Sequence, residues 1–341
     1  MLLTKRLALL LRSGVPLLVA LSLMHEEART RSASYILAEL RETVSNGRPL
    51  SAGMKAFGKI FGDLGIYLIE VGEASGSLAE HLDRFSQAIK KERALRRKVI
   101  GALLYPAIIL TATLGIITLL TLYVFPKIIP VFKGFHTKLP VSTRFLIATS
   151  TFFSNYGVWV LLCMLGVIAG AFMLMRIPRI RLARDCFILR IPLLGTLLQE
   201  YAIASLCRAL GTLIKSGVGV VRAIELGALA TGNYAYRQKC AQAAEAVSKG
   251  QKVSLVFGGD ALLFPRLIPQ MLAVGESTGS LSGSFLYCAD FYEEELDELA
   301  KNIGVLVEPV LMIVMGLIVG FVALAIITPI YGITQNLNPY H

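Results

Sequence analysis

Two octapeptides carry the residue types nearest to chemistry. They are VGEASGSL at Val71 to Leu78 and VGESTGSL at Val274 to Leu281, identical at six of eight positions. A glycine-framed turn with a hydroxyl, Gly72-Glu73 to Gly76-Ser77, invites comparison with a phosphate loop. Such a loop needs G-x-x-x-x-G-K-[ST] after a strand, because its backbone N–H groups and lysine together hold the phosphates. No lysine follows Gly76 or Gly279, and no strand-like alternation precedes either. The same residues suit a helix–helix turn. The glycines stop one helix, Ser77-x-x-Glu80 forms a capping box for the next, and Glu73 and Glu276 accept from free N–H groups at that helix start. Metal binding by these carboxylates is the alternative, without support from their spacing.

Other catalytic patterns are missing. His25, His81, His136 and His341 are scattered, and neither H-E-x-x-H nor G-x-S-x-G occurs. No cofactor motif is found. Asp290, Glu293, Glu294, Glu295, Asp297 and Glu298 form an acidic run that reads as a solvated helix face, with a docking surface or divalent-ion site as the alternatives. Lys90, Lys91, Arg93, Arg96, Arg97 and Lys98 form a basic run suited to a membrane surface or to an acidic partner. No interleaved aromatics accompany it, which argues against nucleic acid. The five cysteines fit no zinc spacing, and free thiols are expected.

These residues are positioned by a duplication. A shift of 203 residues superposes the octapeptides, and it also superposes Arg12-Ser13-Gly14-Val15 on Lys215-Ser216-Gly217-Val218, Phe61 on Phe264, Pro106 on Pro309 and Pro126 on Pro329. A single ungapped offset over this length marks an internal repeat. The second copy departs at one cap, with Gly283 standing where the first has Glu80. Within each copy the apolar spacing is helical. Tyr35, Ile36, Leu40 and Val44 line one predicted helix, Asn46-Gly47 stops it, and Leu82, Phe85, Ala88 and Ile89 point another helix inward. Each copy is therefore an expected antiparallel helical bundle.

Hydrophobic residues make up 55 % of the 341 residues and net charge is +11, with a mean hydropathy of +0.65. That exceeds the apolar share of ordinary soluble chains. Three runs are long enough to cross a bilayer: Leu104–Phe125, Tyr156–Met175 and Leu306–Ile330, the last with Glu308 as its only charge. Pro106 and Pro309 are placed at span starts, where proline is best tolerated. Gly166-x-x-x-Gly170 and Gly316-x-x-x-Gly320 are close-packing patterns for helix association. The apolar N-terminus resembles a secretory signal, but Arg12, Gly14 and Pro16 interrupt it and its repeat partner is a soluble hairpin.

The expected organisation follows. A first cytoplasmic helical domain covers 1–101, the first span 104–125, a periplasmic loop 126–155 and the second span 156–175. A second cytoplasmic domain covers 176–304, the third span 306–330 and a periplasmic tail 331–341. The Lys and Arg bias sets the N-terminus in the cytoplasm and the C-terminus outside. The fold class is all-α, a polytopic membrane protein with two homologous antiparallel bundles and three transmembrane helices.

Duplicated VGExxGSL units, Leu-Tyr-Pro opening the first span, Glu-Pro opening the last and a proline closing each resemble the type II secretion F-domain family. Its members are inner-membrane platform proteins of type II secretion systems and type IV pili. The resemblance implies two cytoplasmic six-helix bundles, three spans, no catalysis and no cofactor. It implies a dimeric or higher homo-oligomer in the bacterial inner membrane, working with a cytoplasmic hexameric assembly ATPase, with pilin or pseudopilin subunits and with other inner-membrane pilus components. It carries over architectural roles to Gly72, Glu73, Gly76, Leu78, Gly275, Glu276, Gly279, Leu281, Tyr105, Pro106, Glu308 and Pro309. The compact N-terminus is more similar to type IVb-class platforms. A transporter is the rival reading, since repeats and spans suit one. A membrane enzyme is the third, and no residue constellation supports it.

Overall fold

The structure, a computed structural model, describes residues 2–120, 123, 141–174 and 177–336. Fourteen α-helices and no strand occur among them. The first repeat holds α1 (Leu2–Arg12), α2 (Leu17–Glu26), α3 (Arg31–Ser45), α4 (Leu50–Ala56), α5 (Gly58–Ala74) and α6 (Leu78–Leu119). Then come α7 (Val141–Leu174) and α8 (Pro178–Leu189). The second repeat holds α9 (Leu194–Lys215), α10 (Val220–Ala230), α11 (Tyr234–Ser248), α12 (Val253–Gly258), α13 (Leu267–Ser277) and α14 (Leu281–Asn336). Each half is thus a six-helix bundle, and α3 and α11 superpose end to end under the 203-residue shift.

Local chemistry repeats with the sequence. The α1–α2 turn places Gly14 at φ +83°, and the α9–α10 turn places Gly217 at φ +84°. This left-handed step lets Gly14 and Val15 donate back to the Leu11 and Leu10 carbonyls, and Gly217 and Val218 to those of Ile214 and Leu213. Thr30 caps α3 by accepting from the Ala33 amide at 3.3 Å, and its counterpart Asn233 caps α11 by accepting from Ala235 at 2.9 Å.

The chain divides into two compact units, Met1–Val99 with Leu182–Leu299, and Ile100–Arg181 with Ala300–His341. The first contains both bundles. Its core includes Leu7, Leu21, Leu40, Leu68 and Leu82 from the first repeat and Leu206, Leu210, Ile224, Leu272 and Phe285 from the second. On α3 the buried face is Leu37, Leu40 and Thr43, while Ile36 and Val44 are half-buried at its edges. Tyr35 lies outside that face, 64 % exposed and edge-on to Phe57. In the second bundle Phe257 and Tyr236 stand where the first has Met54 and Ala33, while Phe264 matches Phe61. Phe257 sits 4.8 Å from Phe264, which meets Tyr236 edge-on at 5.5 Å, and the Tyr236 hydroxyl donates to the Leu263 carbonyl.

The second unit contains the apolar helices. Among the described residues two helices are long and apolar enough to cross a membrane, α6 and α14 over Leu281–Phe321. α14 holds the third expected span, and α6 holds the first as far as Leu119, with residues 121, 122, 124 and 125 outside the described residues. The second expected span lies on α7, with Met175 outside the described residues, as are Pro126, Lys127, Lys133, His136, Lys138 and His341. The bent pair α8–α9 also has the length and composition for a span. However, α9 buries twelve of its residues within the bundle unit, so packing accounts for its apolarity. The 109° bend between these helices turns on Leu193 at φ +67°, with the Leu194 amide donating to the Pro192 carbonyl at 2.8 Å.

Candidate functional site

The two octapeptide glutamates build the same clamp twice. Glu73, at the end of α5, accepts from the backbone amides of Leu50 and Ser51, the latter at 3.1 Å. Glu276, at the end of α13, accepts from the Val253 amide at 2.5 Å, the Ser254 amide at 3.4 Å and the Ser254 hydroxyl at 2.5 Å. Each carboxylate therefore neutralises a helix start, as the residue types suggest. It is the start of the short helix lying 23 residues upstream, α4 or α12, and not of the helix that follows. Those amides have no intrahelical acceptor and are buried, Leu50 at 1 % and Val253 at 3 % exposure. A carboxylate meets both the hydrogen-bonding demand and the positive end of the helix dipole.

The neighbouring glycines serve approach and reversal. A Cβ on Gly72 would lie 2.7 Å from the His81 Cβ, and one on Gly275 would lie 2.4 Å from Ser284 Oγ. His81 and Ser284 are repeat counterparts in the first turns of α6 and α14, so both glycines let those helices cross closely. Gly76 and Gly279 take φ +69° and +70° and reverse the chain. Leu78 and Leu281 open α6 and α14 half-buried. The capping box is not formed. Ser77 Oγ pairs with Ser75 Oγ at 2.6 Å and His81 Nδ1 at 3.0 Å, while Glu80 accepts from Arg84. The buried His81 and the cation at position 84 outcompete the free amides. Gly283 at the position of Glu80 thus removes no cap from the second copy.

The span signatures are placed differently from expectation. Pro106 and Pro309 lie in the interiors of α6 and α14 rather than at helix starts, because each soluble helix continues into its apolar stretch unbroken. Each proline leaves the carbonyl four residues earlier, on Ala102 or Val305, without its helical donor. Tyr105 is 44 % exposed, and Glu308 and Pro309 are exposed. A Cβ on Gly166, Gly170, Gly316 or Gly320 would meet nothing within 4 Å among the described residues. Within their apolar stretches α6 and α14 meet where the Thr113 hydroxyl lies 3.0 Å from the Met315 sulfur.

The acidic and basic runs find each other. Lys91 binds Glu293 at 2.8 Å and Lys98 binds Asp297 at 3.0 Å. Arg208 of α9 reaches Asp290 and Glu293 at 2.5 and 2.6 Å. The duplicated helix is thus basic in one copy and acidic in the other, and the two pair within one chain. Among the described residues no group of three or more His, Cys, Asp or Glu is placed to hold a metal ion.

Two buried features escaped sequence reasoning. Glu200 on α9 is 9 % exposed and its Oε2 has no hydrogen-bond partner. Burial and the neighbouring Glu295 push its carboxyl up to about 7. Its position in an apolar helix is the only signal that marks it. Cys207, Cys240 and Cys288 are buried. Burial raises all three thiols, Cys240 to about 12 and Cys288 to about 11, which keeps them protonated and unreactive at neutral pH.

These features define a duplicated all-α membrane protein, each half a six-helix bundle whose last helix runs on into an apolar stretch. The profile described as "Type II secretion system (T2SS), protein F" matches residues 3–126 and again 206–329. The chain is 30 % identical over 335 residues to type IV pilus assembly protein PilC of Thermus thermophilus, covering 98 % of this chain and 82 % of that one. It is 31 % identical over 337 residues to type II secretion system protein F of Xanthomonas campestris pv. campestris, covering 98 % and 82 %. Against type IV pilus assembly protein TapC of Aeromonas hydrophila it is 30 % identical over 332 residues, covering 96 % and 79 %. The chain belongs to the type II secretion system protein F family.

Proposed function

We propose that this protein is the inner-membrane platform of a type IV pilus or of a type II secretion pseudopilus. In this reading it couples a cytoplasmic hexameric ATPase to the insertion of pilin or pseudopilin subunits, works as a homo-oligomer and catalyses no reaction itself. The relatives' names support pilus assembly and secretion as its setting. The observation that carries the mechanical part is the continuity of α6 and α14. Each begins in a bundle and runs into an apolar stretch without a break in the helix. In this reading such a helix passes displacement of its soluble end along its length, with the hydrogen bond lost at Pro106 or Pro309 as its point of bending. The clamps at Glu73 and Glu276 stiffen the bundles that receive the push.

Topology follows from the charge bias: three spans, the N-terminus in the cytoplasm, and the C-terminus in the periplasm. A reporter active only in the cytoplasm, fused after His341, is expected to be silent, and activity there would overturn the topology. The function is tested by mild-detergent pull-down of the tagged protein from its native membrane, with partners identified by mass spectrometry. Recovery of a hexameric ATPase and pilin-like subunits is expected. An intact extracted complex with neither would overturn the proposal in favour of a transporter.

A further inference from the structure

Counterpart helices α6 and α14 pair directly, but a second contact between the bundles has no reciprocal copy. The α9–α10 hairpin of the second bundle sits on α5 and α6 of the first. Arg84 donates to the Lys215 carbonyl at 2.7 Å and the Ser216 hydroxyl at 3.0 Å. His81 Nε2 lies 3.4 Å from the Ser216 carbonyl oxygen, and the Arg222 guanidinium lies 5.4 Å over the Tyr67 ring. A twofold relation between the repeats would make each contact twice with the roles exchanged. The 203-residue shift names the exchanged pairs: Ser13 with Tyr287, and Val19 with Gln270. All four residues are exposed instead.

A non-reciprocal contact leaves one surface of each kind unused. The unused hairpin face is on α1 and α2, where Leu9, Val19 and Leu23 are 66, 48 and 44 % exposed. Leu226, the counterpart of Leu23 on the occupied hairpin, is 4 % exposed. The unused receiving face is on α13 and α14, where Val274 and Tyr287 are 52 and 54 % exposed and Gln270 is exposed. Charges match as well. On α1, Arg6 and Arg12 pair with Glu27 and Asp83 of their own chain, which leaves Lys5 as the exposed cation of that face, while Glu294 and Glu298 are exposed on α14.

We propose that the α1–α2 hairpin of one copy docks on the α13–α14 face of a second copy. This repeats between chains the contact that α9–α10 makes on α5–α6 within one chain. The resulting assembly is head-to-tail, and it closes into a ring or stays open according to the rotation between repeats. The inference rests on the repeat geometry and holds whichever machinery the protein serves.

Crosslinking in native membranes tests it. Two differently tagged full-length copies are co-expressed in a background carrying Cys163→Ala and Cys186→Ala, one with Val19→Cys and the other with Gln270→Cys. A short bismaleimide is expected to give a product bearing both tags. Ser13→Cys with Tyr287→Cys is expected to do the same. Val19→Cys paired with itself is expected to give none. A self-crosslink at position 19 would mean a twofold contact and overturn the proposal. Absence of the mixed products would overturn it too, whether or not the tags co-purify. Leu23→Asp provides an independent check. It is expected to reduce co-purification of two tagged copies while leaving the melting temperature of the solubilised chain unchanged, and unchanged co-purification would also overturn the proposal.

Discussion

Replacing Glu276 with alanine strips the partner from the amides of Val253 and Ser254 and from the Ser254 hydroxyl. Both residues are buried, at 3 and 8 % exposure. Each buried donor left unsatisfied costs about 1–3 kcal/mol, so the two amides together cost about 2–4 kcal/mol once some water enters. The lower figure is roughly a thirtyfold rise in local opening, at 1.36 kcal/mol per decade. Hydrogen exchange read by mass spectrometry on the peptide spanning 250–258 should show that acceleration. Glu73→Ala should do the same for 47–56. Glu276→Gln keeps one acceptor oxygen but turns an NH2 toward a donor, and is expected to fall between alanine and wild type. Glu225→Ala, which removes only an exposed partner of Arg222, serves as the unchanged control. The measurement also separates two placements of the clamp. Loss of protection is expected at 253–254 and not at 281–284. Unchanged exchange at the start of α12 in Glu276→Ala would refute the reasoning.

Three further outcomes are expected. Glu200 has its carboxyl raised from 4.5 to about 7, so the folded state binds its proton more tightly than the unfolded chain. Its contribution is fully present below about pH 4.5 and is lost as pH rises through 7, a change of about 3 kcal/mol. Thermal melts of the solubilised chain should flatten over that window in Glu200→Gln, and an unaltered slope would count against it. Glu293→Ala leaves Arg208 with Asp290 as its acid, and should cost about 2–3 kcal/mol. Lys91→Ala removes a half-exposed partner and should cost under about 1 kcal/mol, so equal losses in the two melts would contradict the burial argument. Finally, a thiol reagent should label Cys186 in the folded protein, with Cys207, Cys240 and Cys288 reacting only after denaturation. Early labelling at Cys240 would show that α11 is not packed as described.

Much of the fold was legible because its signals are local or periodic. Gly14, Gly47 and Gly76 announce helix ends through conformations that other residues avoid, and each adopts positive φ. The inward placement of Leu82 and Phe85 follows from helical spacing, and both are buried. The short helix α4 was not legible. Its seven residues are too few to show a period, although Pro49 directly before it is a helix-start signal. Missing α4 and α12 sent the glutamates to the wrong helix start. The prolines misled for a related reason. Hydropathy marks where a span begins but carries no information on where a helix begins.

By itself the sequence determined the duplication, the all-helical character and the apolar stretches, since these rest on residue identity at fixed spacing. The family resemblance rests on the same residues. Only the tertiary structure decided which amides Glu73 and Glu276 satisfy, and that the basic run on α6 pairs with the acidic run on α14. Only the tertiary structure showed that the hairpin of the second repeat packs across onto the first bundle while its counterpart does not pack on the second. Those outcomes depend on which groups are brought within hydrogen-bonding range by chain folding. Two copies of one pattern have identical local preferences, and packing alone distinguishes the hairpin that is buried from the one left open.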